Sequence, residues 1–278
     1  MKFSLWKQFG ARNSGPVFDA FKQGVVNSGH TTVENSHDAD VDVIWSVLWA
    51  GQMKPNKQLF NNGKPTVVLE VGGIIRGTTW KIGYCGIDRL SCITSKGNDS
   101  SRAKSLGLKL KPWQTGENIL ICCQNPNSHA WRDMPGPAEW LNDTIKTIRM
   151  HSQKPIIIRT HPRSPVRYVP APHLNAVFQH PEKIPGTYDD YDLTFENFHA
   201  VISPSSNPGP QAIVNGVPAF TGPASLAYDV ANTSLVKIVT PDQPERQQWL
   251  NDYAHSEYTL LEIAAGTPIE ILLKTIDL

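Results

Sequence analysis

Apolar residues along this chain fall into two patterns. Short, nearly continuous runs of β-branched and aromatic residues read as buried strands, and longer stretches with apolar positions every three or four residues read as helices. Residues 1–6 begin with a short strand-like alternation, and a turn-rich loop at 10–16 leads into a helix over 17–26 that Asn27-Ser-Gly-His30 closes. Strands follow at 31–34 and 41–49, then a short helix at 53–60 and a strand at 65–70. That strand runs into Val71-Gly-Gly-Ile-Ile-Arg-Gly77, a loop whose glycines permit close backbone approach. A helix over 100–106 ends at Gly107, and the polar, Pro- and Gly-containing stretch 109–116 has no apolar period, which puts a domain boundary there.

A second series then starts. Its pattern predicts a strand at 118–123, a loop at 124–129 and a helix over 137–151 with Trp140, Leu141, Ile145 and Ile148 on its apolar face. Strands follow at 154–159 and 176–178, and the run 198–202 enters a small-residue loop at 203–210. Gln211 to Val214 opens a helix that Asn215-Gly216 terminates, with another strand after it. From Pro244 onward the apolar positions predict two helices interrupted at Gly266-Thr-Pro268. The expected organisation is an N-terminal Rossmann-like domain over 1–113, a C-terminal one over 114–245, and closing helices over 246–278 that are candidates for crossing back to the first domain.

Composition narrows the class. The chain has 278 residues and 40% hydrophobic content, enough for large cores, and its near-balanced charge of +1 argues weakly against a DNA partner. No apolar run approaches the roughly 18 residues of a membrane span. The first residues lack the apolar core of a signal peptide, so the protein reads as cytoplasmic. Cys85, Cys92, Cys122 and Cys123 lack paired CxxC spacing and read as reduced structural thiols, so no metal is expected. Nothing in the sequence sets an oligomeric state.

The 203–210 loop carries the first chemistry. It offers hydroxyls, an amide and a glycine between a buried strand and a helix start, with Ser203, Ser205, Ser206, Asn207 and Gly209 as candidates. Free backbone N–H groups there, with Ser205 and Ser206, suit an anion such as a diphosphate, although an ordinary turn of a parallel sheet has the same grammar. Arg159, His161 and Arg163, at and after the end of a strand, could neutralise phosphates; equally, Arg159 could anchor the sheet end and His161 could bond backbone. The 71–77 loop follows a strand's carboxyl end, where open α/β sheets collect ligands, which brings Glu70, Arg76, Trp80, Lys81 and Asp88 into consideration.

Specific segments resemble a known family. Ile156-Ile-Ile-Arg-Thr-His-Pro-Arg163 is similar to the His-Pro motif of capsular-polysaccharide Kdo transferases, and Ser205-Ser-Asn-Pro-Gly209 through Gly216-Val-Pro218 resembles their Ser-Ser loop and helix. Leu250-Asn-Asp-Tyr-Ala254, Tyr258-Thr-Leu-Leu-Glu-Ile263 and Gly266 resemble their closing helices, and Gln124-Asn-Pro126 resembles their Gln-Pro turn. The stretch from Val68 to Asp88 is similar instead to bacteriophage-encoded glycosyltransferase-like proteins. The resemblance implies an α/β protein of the GT-B class, two Rossmann-like domains facing a cleft, that moves a hexosyl or related sugar from a nucleotide-sugar co-substrate to an acceptor hydroxyl without another cofactor.

On that reading Gln124, Arg159, His161, Arg163 and the 203–209 loop bind the donor, and the resemblance adds Glu262 as a contact to its sugar or ribose. A general base is expected from the first domain, Asp88 or Glu70, with Arg76, Trp80 and Lys81 on the acceptor side. The phage likeness makes DNA carrying hydroxymethylated pyrimidines the first candidate acceptor, in a host cytoplasm if the protein is viral. A capsular or surface glycan is the second, and a non-catalytic nucleotide-sugar or glycan-binding module is the alternative from another class.

Overall fold

The structure is a computed structural model that describes residues 1–91, 96–167, 170–186 and 190–276; Cys92 lies outside the described residues. The chain divides into two compact units, Met1–Leu106 with Asn251–Leu278, and Gly107–Leu250. In chain order the first part contains β1 (Lys2–Leu5), α1 (Gly15–Asn27), β2 (Thr31–Glu34), β3 (Val41–Trp45), α2 (Asn56–Phe60), β4 (Thr66–Val71), β5 (Thr79–Tyr84) and α3 (Ser101–Ser105). The second unit carries β6 (Asn118–Cys122), α4 (Pro137–Arg149), β7 (Ile156–Arg159), β8 (Ala176–Gln179), β9 (Phe198–Ile202), α5 (Pro208–Val214) and β10 (Ala219–Phe220). Then come α6 (Gln247–Tyr253), inside which the unit boundary falls, β11 (Tyr258–Thr259), α7 (Leu260–Ala265) and α8 (Thr267–Ile276).

In the first unit the sheet order is β11-β5-β4-β3-β1-β2. Strands β2, β1, β3 and β4 pair in parallel, whereas β5 and β11 are antiparallel. Only seven residues, 72–78, join β4 to β5. A parallel return needs a crossover of about a dozen residues or more, so this short loop forces a hairpin. One sheet face packs Phe3, Val43 and Leu69 against Phe18, Phe21 and Val25 of α1 and Ile269 and Leu272 of α8. The other face packs Ile44 and Val68 with Leu59 of α2. Strands covered on both faces have no polar alternation, which is why these runs stood out in the sequence. The apolar run at 41–49 ends as a strand at Trp45, because Ser46 takes a left-handed φ of 66° that breaks the extended path.

The second unit's sheet is parallel throughout, in the order β10-β9-β6-β7-β8. Leu141, Ile145 and Ile148 of α4 pack on Ile119, Ile121, Ile156 and Ile158, and Ala212 and Ile213 of α5 pack with Leu120 and Val201 on the opposite face. The polar stretch 109–116, read as a linker, is bound into this unit: Lys111 N–H donates to Val214 O at 2.9 Å and Gln114 N–H to Gly216 O at 2.8 Å. Gly216 is required there, since it has φ 78° and a Cβ would lie 2.0 Å from Pro112 O. Cys122 and Cys123 are buried, and burial pushes both thiols up to about 12, so neither ionises at neutral pH.

Residues 251–276 complete the first unit, and Arg102 holds much of that return. Its guanidinium donates to Ala254 O at 2.6 Å, to Glu257 O at 2.7 Å and to Glu262 Oε2 at 2.9 Å, and it also pairs with Glu262 Oε1. Glu262 is at the same time the N3 carboxylate of the capping box that starts α7 at Thr259. Asn98 adds two hydrogen bonds, from its N–H and its side-chain amide, to Asp252 Oδ1 at 2.9 and 2.8 Å.

Replacing Arg102 with Met strips three carbonyl or carboxylate groups of their donor and should lower the unfolding free energy by roughly 2–4 kcal/mol in urea denaturation. A second prediction concerns acid. Burial and the nearby Arg102 charge lower the pKa of His255 below 6.5, and Glu262, although burial pushes it up, is held below 4.5 by Arg102 and Thr259. Both folded values lie under the unfolded ones, so both contributions are present at high pH and are lost on acidification. Stability should begin to fall below about pH 6.5 and fall further below about pH 4.5. His255→Gln should flatten only the upper part of that profile.

Candidate active site

Parallel strands expose their last carbonyls, and the residues that follow them, at one sheet edge, where α/β proteins collect ligands. In the second unit four neighbouring strands end there in polar residues. β10 is followed by Thr221, β9 by Ser203, β6 by Cys123 and then Gln124 and Asn125, and β7 by Thr160 and His161. Thr221, Ser203, Gln124, Asn125 and Thr160 are all at most 7% exposed. Buried polar groups need partners, and most of these find them within the rim. Ser205 Oγ donates to Gln124 Oε1 at 2.9 Å, joining the loop after β9 to the loop after β6. Ser203 Oγ and Ser206 Oγ are 2.9 Å apart, and Asn125 Oδ1 accepts from Asn127 N–H at 3.0 Å.

Thr221 is the exception. Its Oγ1 is buried with no hydrogen-bond partner, and its Cγ2 lies 3.2 Å from where a Cβ at Gly209 would be. The Thr221 methyl therefore sits against the first turn of α5, the turn that contains Gly209 and follows Ser205, Ser206 and Asn207. An unmet buried hydroxyl costs about 1–3 kcal/mol.

The cationic candidates divide. Arg159 is 6% exposed; its Nε donates to Gln179 Oε1 at 2.7 Å and its Nη1 to Thr194 O at 2.8 Å, so it braces the β7–β8 edge. Burial lowers its pKa, and these two acceptors meet part of the demand of its charge. His161 Nδ1 accepts the Arg163 N–H at 3.2 Å, which leaves the ring proton on Nε2 as a donor. Arg163 is exposed beside it.

In the first unit Glu70 lies at the carboxyl end of β4. Ser46, just past the end of the neighbouring parallel strand β3, donates its hydroxyl to Glu70 Oε2, while Glu70 Oε1 accepts Val71 N–H at 2.8 Å. Lys81 is the direct antiparallel register partner of Glu70, so the two side chains leave the same face of the sheet, and Lys81 is only 7% exposed. Glu70 and the buried Lys81 thus leave the face that also carries Val68, with the Ser46 hydroxyl on the carboxylate. The left-handed backbone of Ser46 is the kind of strain that persists where surrounding structure fixes it.

Three expected site residues have structural partners. Trp80, expected at an acceptor surface, is 6% exposed and packs in the core with Trp45, ring centroids 6.0 Å apart. Glu262, expected on the donor, belongs to the first unit, where the cap of α7 and Arg102 occupy its carboxylate. Asp88 is a loop cap: its Oδ1 accepts Leu90 N–H at 3.0 Å and Ser91 N–H at 3.1 Å, closing the turn after β5. Arg76 is exposed on the 72–78 loop.

Sequence reasoning missed Ser46, Thr221 and Glu257. Ser46 and Thr221 each follow an apolar strand, a signal that was available. Glu257 is a fully buried carboxylate that accepts Gly73 N–H at 2.7 Å, Ile74 N–H at 3.0 Å and the Thr79 hydroxyl at 2.6 Å; nothing local in its sequence marks it. Among the described residues no group of three or more His, Cys, Asp or Glu is arranged to hold a metal, and no helix is long and apolar enough to cross a membrane.

No protein-family model matches the chain, and no curated protein matches it in sequence. Solved structures do. Thermosulfurimonas dismutans KpsC, described as a beta Kdo 2,7 transferase, aligns over 99% of this chain and 99% of its own with a TM-score of 0.55 at 14% identity. The beta Kdo 2,4 transferase of KpsC from the same organism aligns over 91% of this chain and 90% of its own, with a TM-score of 0.50 at 12% identity. The chain therefore has a two-domain α/β fold of the GT-B type, shared end to end with these enzymes.

Proposed function

We propose that this protein is a glycosyltransferase that takes a sugar from a nucleotide-sugar donor held by the second unit. The observation that carries this reading is the buried polar rim at four adjacent strand ends, Thr221, Ser203, Gln124 and Thr160, with one hydroxyl left without a partner. A nucleotide sugar is rich in hydroxyl and phosphate oxygens, and such a rim answers them with fixed donors and acceptors that need no reorganisation. His161 Nε2–H and Arg163 supply further donors for phosphate. The end-to-end likeness to two Kdo transferases supports glycosyl transfer as the chemistry.

Glu70 is the acid/base group in this reading. Its carboxylate is fixed by Ser46 and Val71 N–H, it shares a sheet face with the buried Lys81, and it ends a strand at the ligand-collecting edge. Asp88 is the alternative; it lies in the turn after β5, where Leu90 and Ser91 N–H bond its Oδ1. For the acceptor, a glycan hydroxyl is favoured over a hydroxymethylated base. The two aligned structures are Kdo transferases, which supports a glycan acceptor, and Trp80, expected on the acceptor side, is in the core.

Transfer of labelled sugar from a panel of nucleotide sugars, with glycan acceptors in one arm and hydroxymethylcytosine duplex DNA in the other, tests the reading. Label on glycans alone is expected; label confined to modified DNA would reverse the acceptor assignment, and neither transfer nor donor hydrolysis would leave a binding module. Glu70→Gln should lower kcat by at least about 10²-fold with donor binding unchanged. Thr221→Val, which removes the unmet hydroxyl at nearly constant volume, should leave the melting temperature at or above the parent's. Ser206→Ala should weaken donor binding more than acceptor binding.

A further inference from the structure

Gly72, Gly73 and Ile74 directly follow β4, the strand that carries Glu70, and their backbone is held by a side chain from the far end of the sequence. Glu257 Oε1 accepts Gly73 N–H at 2.7 Å, and Oε2 accepts Ile74 N–H at 3.0 Å and the Thr79 hydroxyl at 2.6 Å. Thr79 Oγ1 in turn accepts Ile75 N–H at 3.1 Å. Its one proton goes to the carboxylate, the nearer acceptor, with Ile75 O at 3.2 Å as the alternative. Glu257 is 0% exposed, so this carboxylate has exchanged water for three protein donors. Its own backbone is fixed on both sides: Arg102 Nη2 donates to Glu257 O, and the next residue, Tyr258, pairs in register with Trp80.

The approach of the loop to Glu257 requires glycine at 72. A Cβ on Gly72 would lie 2.3 Å from Glu257 Oε2 and 2.2 Å from Thr79 O, so only glycine lets the backbone approach the carboxylate this closely. Val71, whose N–H holds Glu70 Oε1, is the residue immediately before this turn. Residues 72–74 thus continue directly from the Val71 N–H that holds the Glu70 carboxylate.

We infer that Glu257 is a positioning residue for Glu70, acting through the 72–74 turn as an internal anion that occupies two successive backbone N–H groups. It touches neither donor nor acceptor in this role. The inference rests on Glu70 being the acid/base group proposed above. Glutamine at 257 keeps the shape but turns one acceptor oxygen into a donor, so one of the two amides must face N–H against N–H. A displacement of about 1 Å at a reacting group costs on the order of 10²-fold in rate, which sets the size of effect to look for.

The test uses the full chain with parent, Glu257→Gln, Glu257→Ala and Glu70→Gln in parallel, reading kcat, donor KM, melting temperature and amide hydrogen exchange at Gly73 and Ile74. Glu257→Gln is expected to lower kcat about 10- to 100-fold with donor KM within about twofold of the parent, and to speed exchange at those two amides selectively. Added formate, which can re-enter the space left in Glu257→Ala, should restore part of kcat and slow the exchange again. Glu257→Gln with parental kcat, while Glu70→Gln is inactive, would overturn the inference and leave the Glu70 assignment standing. Parental kcat in Glu70→Gln would remove the assignment itself, and unchanged exchange at Gly73 and Ile74 would remove the anion–amide contact whatever the activity.

Discussion

A carboxylate in a dry protein interior costs several kcal/mol unless its lone pairs are met, and Glu257 meets that demand with two backbone amides and one hydroxyl. That single constraint reaches far. It ties the turn after β4 to the segment before β11, which pairs with β5, and β5 pairs back to β4. The loop, the hairpin and the C-terminal return thus form one closed set of contacts, in which Arg102 supplies the matching positive charge on the other side of the same backbone. Residues 251–276 are therefore part of the first unit's architecture rather than an appendage to it.

The two sheets solve the same problem in different ways. Both are covered on both faces by helices, so their central strands are apolar from end to end and polar chemistry is pushed to the strand ends. In the second unit every strand pair is parallel, and the carboxyl edge becomes a continuous rim of small hydroxyl and amide groups that bond one another across loops. In the first unit the antiparallel return of β5 brings a lysine back beside a strand-end glutamate, a juxtaposition that an all-parallel sheet does not create by register.

Several side chains that look functional in the sequence make structural contacts. Arg159 sits in a motif with His161 and Arg163, yet its guanidinium is held by Gln179 and Thr194. Glu262 occupies a helix start where a ligand contact was expected, but a capping box and an arginine take both its oxygens. Trp80 follows a glycine loop in the sequence, and strand alternation then turns it into the core beside Trp45. In each case residue type and position were read correctly, and the competing partner was a residue distant in sequence.

Most strands and helices and the loop after β9 were legible because their causes are local: β-branched runs bury on both faces, α4 repeats its apolar residues at helical spacing, and Gly216 and Gly266 stop helices with a backbone only glycine adopts easily. Strands β5 and β11 were not, and the stretch from Pro244 to Gly266, read as one helix, is split by β11 into α6 and α7. The sequence by itself therefore determined two α/β series and the edges at which they carry polar residues. Only the tertiary structure decided which polar groups meet. Glu257 finds Gly73 across 184 positions, Ser205 finds Gln124 across 81, and Lys81 faces Glu70 because a seven-residue loop admits no crossover. The physical reason is that a hydrogen bond's partner is set by where the packed sheets carry the chain, and no periodicity along the sequence encodes that distance.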